Sequence, residues 1–372
     1  MISVNAPSLG RKELNLISEC IKTGWISHEG PFVKKFEDAF AQFCNAKYGV
    51  ACSSGTAALH LGFISLGINK NDEVIIPTFT MIATAYALIY IGAKPVLVDA
   101  EPRTWNMDVG QIEDKLGKRT KAILPVHIYG HPVKMDTVWQ IARSTKILIF
   151  SDSSEAHGAE FKGIKAGALC DAAAFSFYAN KIVTTGEGGM VVTNRKRVAE
   201  RARYFRNMAF QKKTRYLHKD VGYNYRMTNL QAAIGLAQTQ RIEESISKKR
   251  KIAHLYDGRL KGIEGITTPI EESWAKNVYW VYGILIDEKI LGLSRDKFRE
   301  ELYKEGIDTR PFFIPMHKQP VFRKMGLFLR EKYPVSEDIA KRGLCLPSGL
   351  NLNEKQIDFI CEKIKKIKQK YG

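Results

Sequence analysis

Residues 175–189, FSFYANKIVTTGEGG, place a lysine where lysine is uncommon. Lys181 follows a short apolar run, residues 172–177, that is typical of a buried strand. A lysine beside a buried strand usually has a function for its amine, because burying an ammonium group is costly. A desolvated lysine has a lowered pKa, is nucleophilic and can form a Schiff base with an aldehyde. The alternative is a solvated surface lysine followed by an ordinary glycine turn.

A second segment combines small residues and hydroxyls where a strand ends and a helix begins. Residues 52–59, CSSGTAAL, contain Gly55, which permits a tight turn, and Thr56 in the first helical turn. The free N–H groups of a helix N-terminus and the helix dipole together form an anion site. Ser176 in the lysine segment adds a further hydroxyl. The alternative is that Ser54 or Thr56 only caps the helix.

Two carboxylates, Asp152 and Glu155, follow the apolar run 147–150. A carboxylate directly after a buried strand is costly unless it meets a cation. A protonated ring nitrogen is such a cation, and an aspartate that keeps a pyridinium protonated makes the ring an electron sink. Glu155 is close enough in the chain to reach a hydroxyl of the same ring. A strand-end cap and a metal site are the alternatives, although only His157 lies nearby as a nitrogen ligand for a metal.

A Schiff-base lysine, an aspartate for a ring nitrogen and an anion-binding turn together indicate pyridoxal 5'-phosphate as cofactor. These groups need a fold that brings distant segments together. Short β-rich runs alternate with helical stretches over the first two thirds of the chain, which predicts an α/β fold with a mostly parallel seven-stranded sheet flanked by helices. Ligands of such sheets bind beyond the carboxyl ends of the strands. The predicted strands are residues 49–52, 73–76, 95–98, 122–126, 147–150, 172–177 and 190–193.

The last third of the chain has a different pattern, which predicts a smaller α+β domain. We expect a large cofactor-binding domain over residues 1–249 and a small C-terminal domain over residues 250–372. The elements predicted around and beyond this boundary are one long helix over 228–260, a strand over 277–286, a helix over 294–305 and a final helix from Asn353, with Gln356 completing a capping box.

The composition is ordinary for a globular protein, but the net charge is not. Of the 372 residues, 45% are hydrophobic and 26% charged, and the formal net charge is +18. Such a charge favours an anionic partner, which includes nucleic acid, a membrane surface or a phosphorylated small substrate. The basic residues are spread along the chain, and no helix-turn-helix pattern is present. A DNA-binding regulator is therefore only the remote alternative to an enzyme.

The sequence also indicates a compartment. Residues 1–14 lack the apolar segment of a signal peptide, and no apolar run approaches membrane-spanning length. The cysteines are scattered with no CxxC pair, which is typical of small buried hydrophobic residues in a reducing environment. We therefore expect a cytoplasmic protein with no disulfides and no metal. The six cysteines are Cys20, Cys44, Cys52, Cys170, Cys345 and Cys361.

Longer motifs resemble those of the DegT-like nucleotide-sugar aminotransferases, which are fold-type I pyridoxal-phosphate enzymes. The resemblance extends over nearly the whole chain. Within the family, YNYRMTN and RPFFIPMH are most similar to the stretches found in enzymes that make GDP-perosamine. The motifs are GWISHEGPFVKKFE (24–37), SSGTAALHL, DEVIIPTFT, PVHIYGH (125–131), SEAHG, SFYANKIVTTGEGGM, GYNYRMTNLQAAIGLAQ (222–238) and RPFFIPMH (310–317).

The resemblance implies a role for each candidate site residue. Lys181 would form the Schiff base and carry the proton between substrate carbon and cofactor. Asp152 would pair with the pyridinium nitrogen, and Glu155 would contact the ring hydroxyl. This chain has Met81 where relatives usually have an aromatic residue stacked on the cofactor ring. The phosphate would be bound by Gly55, Thr56, Ser176 and an Asn224 reaching across from the partner subunit, and the nucleotide sugar by Trp25, Arg226, Arg310 and His317.

The implied reaction is amino transfer from L-glutamate to C4 of a nucleotide-linked 4-keto-6-deoxy sugar, in a homodimer with shared active sites. A lysine at position 181 favours amino transfer over dehydration, because deoxygenating relatives have histidine there. The first expectation is GDP-4-keto-6-deoxymannose, giving GDP-perosamine for surface polysaccharide such as O-antigen. The alternatives are UDP- or dTDP-4-keto-6-deoxyglucose and, after them, a 3-keto sugar. No nucleic-acid or membrane partner is expected.

Overall fold

The architecture comes from a computed structural model of the chain, which describes residues 1–211, 213–214 and 216–372. Within these ranges the chain forms fourteen strands, arranged in three sheets, and thirteen α-helices. In the same part of the chain, no helix has the length and apolar character needed to cross a membrane.

The strands are β1 (Tyr48–Cys52), β2 (Glu73–Pro77), β3 (Lys94–Val98), β4 (Thr120–Ile123), β5 (Leu148–Asp152), β6 (Glu160–Phe161), β7 (Ile164–Lys165), β8 (Ala172–Ser176), β9 (Gly189–Thr193), β10 (Ile266–Thr267), β11 (Ala275–Lys276), β12 (Tyr282–Ile286), β13 (Arg310–Pro311) and β14 (Gly343–Leu346).

The helices are α1 (Arg11–Thr23), α2 (Pro31–Phe43), α3 (Gly55–Leu66), α4 (Ala83–Tyr90), α5 (Met135–Thr145), α6 (Lys196–Arg206), α7 (Asn229–Thr239), α8 (Ile242–Leu260), α9 (Glu288–Leu291), α10 (Arg295–Lys304), α11 (Pro320–Lys324), α12 (Pro334–Arg342) and α13 (Glu354–Tyr371).

The largest sheet contains the seven predicted strands, each shifted by at most a few residues. Its order is β1-β9-β8-β5-β4-β2-β3, and β9 is the strand that runs antiparallel to its neighbours. Most strand residues are apolar and buried because helices pack against the sheet, and every residue of β8 is buried. The predicted α/β fold class is therefore confirmed.

The prediction of a single helix over residues 228–260 is wrong, since the chain breaks between α7 and α8 at Gln240 and Arg241. Arg241 leaves helical geometry, and its guanidinium donates to the carboxylate of Glu13 and to the carbonyl oxygen of Ser8. Because Glu13 is buried and needs a cation, this ion pair favours the break. Neither proline nor glycine marks this position, so the sequence pattern alone did not reveal it.

The strand predicted over residues 277–286 is wrong in its first half, because only the part from Tyr282 onward forms β12. The side chain of Asn277 accepts a hydrogen bond from the N–H of Tyr279 at 2.8 Å, and Tyr279 has a left-handed φ of 47°. This side-chain turn interrupts the extended chain. The interruption turns the segment that carries Trp280 toward the large sheet.

The C-terminal part of the chain has its own antiparallel sheet, in the order β10-β12-β14-β13. The capping box predicted for Asn353 and Gln356 is confirmed at the start of α13. The division into domains at residues 249 and 250 falls within α8 and stays a prediction. The apolar face of α13 is buried and consists of Ile357, Ile360, Cys361, Ile364 and Ile367. All six cysteines are free, as predicted.

Candidate active site

The strands of the large sheet end at a cavity of about 350 Å³. Seven residues that the sequence predicts for cofactor binding or chemistry line it together, although they come from four separate segments. These residues are Gly55, Thr56, Met81, Asp152, Glu155, Ser176 and Lys181. The other lining residues are Ser54, Leu59, Thr80, Ala83, Val126, Ser154, Tyr178, Asn180, Glu187, Trp280 and Phe313.

Lys181 lies on the irregular segment between β8 and β9, and its side chain is 9% exposed. Its Nζ is 3.9 Å from Oε1 of Glu155 and 3.5 Å from the ring centroid of Trp280. Burial lowers the pKa of Lys181, while the nearby carboxylates of Glu155 and Asp152 oppose this shift. The amine therefore loses its proton more readily than a surface lysine, which is what a nucleophile requires.

Asp152 is the last residue of β5 and is nearly buried. Both of its carboxylate oxygens accept hydrogen bonds, one from the Thr84 hydroxyl at 2.9 Å and one from the Ser154 N–H at 3.1 Å. These two donors fix the direction of the carboxylate. The arrangement can hold a protonated ring nitrogen in the cavity.

Glu155 is buried beside Lys181, and its Oε2 accepts a hydrogen bond from the N–H of Tyr129 at 2.7 Å. Tyr129 adopts a left-handed φ of 54°, a conformation that costs energy for a bulky residue and is enriched at functional sites. Burial raises the pKa of Glu155, and Lys181 opposes that shift. The two groups therefore form a buried charge pair at the cavity wall.

The start of α3 supplies the anion-binding end of the cavity. Ser54 caps the helix, since its hydroxyl accepts a hydrogen bond from the N–H of Ala57 at 3.1 Å. A Cβ on Gly55 would lie 2.7 Å from Cβ of Ser176, so only glycine lets the helix start approach the end of β8 so closely. The hydroxyl of Ser176 and the first turn of α3 therefore meet at one place. The capping alternative and the anion-site prediction are compatible, because capping leaves other N–H groups of the first turn available.

His157, considered above as a metal ligand, lies among aromatic rings instead of in the cavity. Its ring centroid is within 6 Å of those of Phe40, Phe175 and Phe177. Burial lowers the pKa of His157 to about 3, so it is neutral and part of the core beneath the site.

The predicted substrate-binding residues lie outside this cavity. Trp25 is 52% exposed, Arg226 bonds the side chain of Asn224, and Arg310 pairs with Asp308. His317 is buried with both ring nitrogens bonded, one to the Thr78 hydroxyl and the other to Glu337, each at 2.9 Å. Their roles, and that of Asn224, stay predictions.

Sequence reasoning missed several residues that shape the site. Trp280 and Phe313 reach it from the C-terminal part of the chain, while Thr84 and Tyr129 act by bonding the two carboxylates. Phe313 falls inside the RPFFIPMH motif, and this motif could have indicated from the sequence that Phe313 lies at the site. Asn180 lies beside Lys181, and its Oδ1 is buried with no hydrogen-bond partner among the described residues. An acceptor left open in this position suits a ligand that brings its own donor.

Comparison with known proteins agrees with this geometry. The model of the DegT/DnrJ/EryC1/StrS aminotransferase family matches residues 7–365. GDP-perosamine synthase of Caulobacter vibrioides is 41% identical over 98% of this chain and 98% of that protein. GDP-perosamine synthase of Escherichia coli O157:H7 is 40% identical over 98% of this chain and 97% of that protein.

A solved structure is similar over the whole length. It is the PLP-form of the putative sugar aminotransferase Spr1654 from Streptococcus pneumoniae, with a TM-score of 0.93 and 25% sequence identity, covering 100% of this chain and 99% of that one. The chain therefore belongs to the DegT/DnrJ/EryC1/StrS aminotransferase family, whose members depend on pyridoxal phosphate.

Proposed function

We propose that this aminotransferase moves the amino group of L-glutamate to C4 of GDP-4-keto-6-deoxymannose, giving GDP-perosamine for a surface polysaccharide. The observation that carries the proposal is that one cavity joins the Lys181 amine, the Asp152 carboxylate and the N-terminal turn of α3. The names of two GDP-perosamine synthases that are about 40% identical over nearly the full chain support the choice of sugar.

The groups that line the cavity fit pyridoxal phosphate in kind. The carboxylate of Asp152 would hold the ring nitrogen, and Glu155 would face the ring hydroxyl. Gly55, Thr56 and Ser176 would hold the phosphate, because a helix N-terminus with adjacent hydroxyls suits a dianion. When bound, the cofactor supplies an aldehyde carbon and a ring that stabilises negative charge on the substrate carbon.

Lys181 would also act as the group that moves a proton at the substrate carbon. Burial lowers the pKa of Lys181, so its amine gives up a proton more readily than that of a surface lysine. Glu155, held by the Tyr129 N–H, is close enough to balance the charge of that amine. Trp280 and Phe313 cover the cavity with apolar surface, which limits access of water to the amine.

The experiment that tests the proposal is a half-reaction followed by the absorbance of the bound cofactor. The loaded protein is treated with L-glutamate, freed of the amino acid and mixed with GDP-4-keto-6-deoxymannose. We expect glutamate to change the absorbance, the sugar to restore it, and mass spectrometry to find the 4-amino sugar. If the absorbance is restored only by UDP- or dTDP-4-keto-6-deoxyglucose, or only by a 3-keto sugar, then that sugar is the acceptor instead of the GDP-linked one. No change with glutamate would contradict glutamate as the donor.

Met81 gives a prediction about cofactor retention. It lines the cavity, is 49% exposed, and stands where an aromatic ring is usual. Replacing Met81 with phenylalanine should slow cofactor loss by about two- to tenfold, because a stacked ring adds attraction that a thioether provides only in part. The measurement is the rate of cofactor release during rapid gel filtration. A matching change at exposed Met325, remote from the cavity, should have no effect.

We further propose that the active unit is a homodimer in which each subunit contributes to the other's site. Asn224 is exposed and lies outside its own chain's cavity, and its Oδ1 accepts a hydrogen bond from Arg226 at 2.8 Å. That bond leaves the amide NH₂ group as the donor for an anion. Met81 and Tyr178 are each 49% exposed at the cavity, and exposed apolar side chains of this size are typical of interfaces.

Mixed dimers test this sharing. Asn224→Asp should weaken turnover in a uniform dimer, because a carboxylate repels the cofactor phosphate, and Lys181→Ala should abolish it. In a random mixture of the two variant chains, hybrid dimers should contribute about a quarter of wild-type activity, since half of the dimers are hybrids with one intact site. Activity of the mixture equal to that of the separate variants would contradict sites shared between subunits.

A further inference from the structure

The ring of Trp280 lies directly against the amine of Lys181. The distance from Nζ to the ring centroid is 3.5 Å, and Trp280 is nearly buried where it lines the cavity. A lysine amine over an indole face is attracted by the ring's negative face, and the attraction grows when water is excluded. The indole can therefore orient the end of the flexible Lys181 side chain, together with the carboxylates of Glu155 and Asp152.

Trp280 is fixed at both ends by hydrogen bonds. Its indole N–H donates to the carbonyl oxygen of Asn180 at 2.9 Å, and Asn180 directly precedes Lys181. The backbone carbonyl of Trp280 accepts a hydrogen bond from Nζ of Lys249 at 2.7 Å. The ring is thus tied to the lysine segment on one side and to α8 on the other.

Lys249, which bonds the backbone of Trp280, is unusual because its amine is buried. It is 1% exposed, and its Nζ donates to the carbonyl oxygens of Trp280 and Ser348. Burial lowers the pKa of Lys249 to about 7, and even the uncharged amine has two hydrogens for these two carbonyls. The buried amine ties α8 to two loops at a cost in desolvation, and one of the two loops carries Trp280.

We propose that Lys249 is a positioning residue for Lys181: it fixes the backbone of Trp280, and through that backbone the indole that orients the Lys181 amine. The proposal rests on the proposed function, in which Lys181 captures the cofactor. It adds a residue from α8, outside the cavity, to the machinery of the site.

The test measures how fast the full chain, freed of cofactor, captures pyridoxal phosphate, rather than turnover of the loaded enzyme. Capture by Lys249→Met and by Trp280→Leu should each be about tenfold slower than by wild type, because misplacing a reacting group by even an ångström has large effects on rate. The matched control is Lys248→Met, on the same helix but exposed, which should capture at the wild-type rate.

A double variant separates positioning from general loosening of the structure. If Lys249 acts through Trp280, then Lys249→Met combined with Trp280→Leu should capture within about twofold of Trp280→Leu alone. The visible circular dichroism per bound cofactor should fall in both single variants, since the cofactor is then held less rigidly. Should Lys249→Met or Trp280→Leu fail to fold, Lys249→Gln and Trp280→Phe replace them in the same cycle.

The inference would be overturned if folded Lys249→Met captured pyridoxal phosphate at the wild-type rate. It would also be overturned if the capture rate of the double variant were slowed by the product of the two single effects. Comparing the wild-type chain with Lys181→Ala tests the proposed function itself. If the wild-type chain captures pyridoxal phosphate no faster than Lys181→Ala, both the function and the inference fall. If wild type captures normally and the Lys249 and Trp280 variants match it, only the inference falls.

Discussion

Replacing Lys181 with alanine is expected to lower amino transfer by about four orders of magnitude or more, because the nucleophile and the proton carrier are removed together. The fold should persist, since the side chain ends in a cavity and its charged partner Glu155 can take up a proton, its pKa being raised by burial. The measurement is kcat for the keto sugar, with thermal unfolding to show that the variant is folded.

The matched control for this prediction is Lys365→Ala, an exposed lysine on α13, which should leave both quantities unchanged. Turnover of Lys181→Ala near the wild-type rate would contradict the assignment of this lysine. A large drop in the unfolding temperature, with kcat scaling to the folded fraction, would instead show that Lys181 is needed for the structure.

The second large effect is expected for Asp152→Asn, which keeps the shape of the side chain but removes its charge. Breaking a buried charged pair costs about 3–5 kcal/mol, which corresponds to a loss of roughly two to four orders of magnitude in turnover. The Ser154 N–H can still donate to the remaining amide oxygen, and the Thr84 hydroxyl can accept from the amide NH₂, so the packing should survive. The absorbance of the bound cofactor should also change, because its ring nitrogen loses its anionic partner.

Asp171→Asn is a suitable control for Asp152, because Asp171 also lies at the sheet and bonds the backbone N–H of Ile149 at 2.9 Å, yet is not among the residues that line the cavity. It should lower stability slightly and leave turnover intact. If Asp152→Asn and Asp171→Asn lost turnover equally, the loss would follow from removing any carboxylate at the sheet and would not be specific to Asp152.

Sequence patterns were sufficient for the parts of the site that depend on local structure. Asp152 and Ser176 end strands that begin with an apolar run, and Gly55 opens a helix after β1, so each could be placed at the same edge of a parallel sheet. The predicted family, fold class and aminotransferase activity are confirmed. The individual roles of the site residues and the domain boundary stay predictions.

The rest of the site depends on contacts between distant segments, which leave no local pattern. Trp280 belongs to an irregular segment that was expected to be a strand, and it meets Lys181 only after the C-terminal part has packed on the large sheet. The turn at Arg241 is likewise favoured by Glu13, more than two hundred residues earlier in the chain. The local sequence around Trp280 and around Arg241 does not distinguish either residue from many other tryptophans and arginines.

The place of β1 in the large sheet has a consequence for biosynthesis. β1 is made early, but its partner in the sheet is β9, which follows about 140 residues later. At a translation speed of about 5–20 residues per second, roughly 7–30 seconds pass before that partner exists. During this time Val50, Ala51 and Cys52, which are fully buried in the finished protein, have no strand to pair with. We therefore expect β1 to stay unpaired and open to chaperone binding while the chain is still on the ribosome.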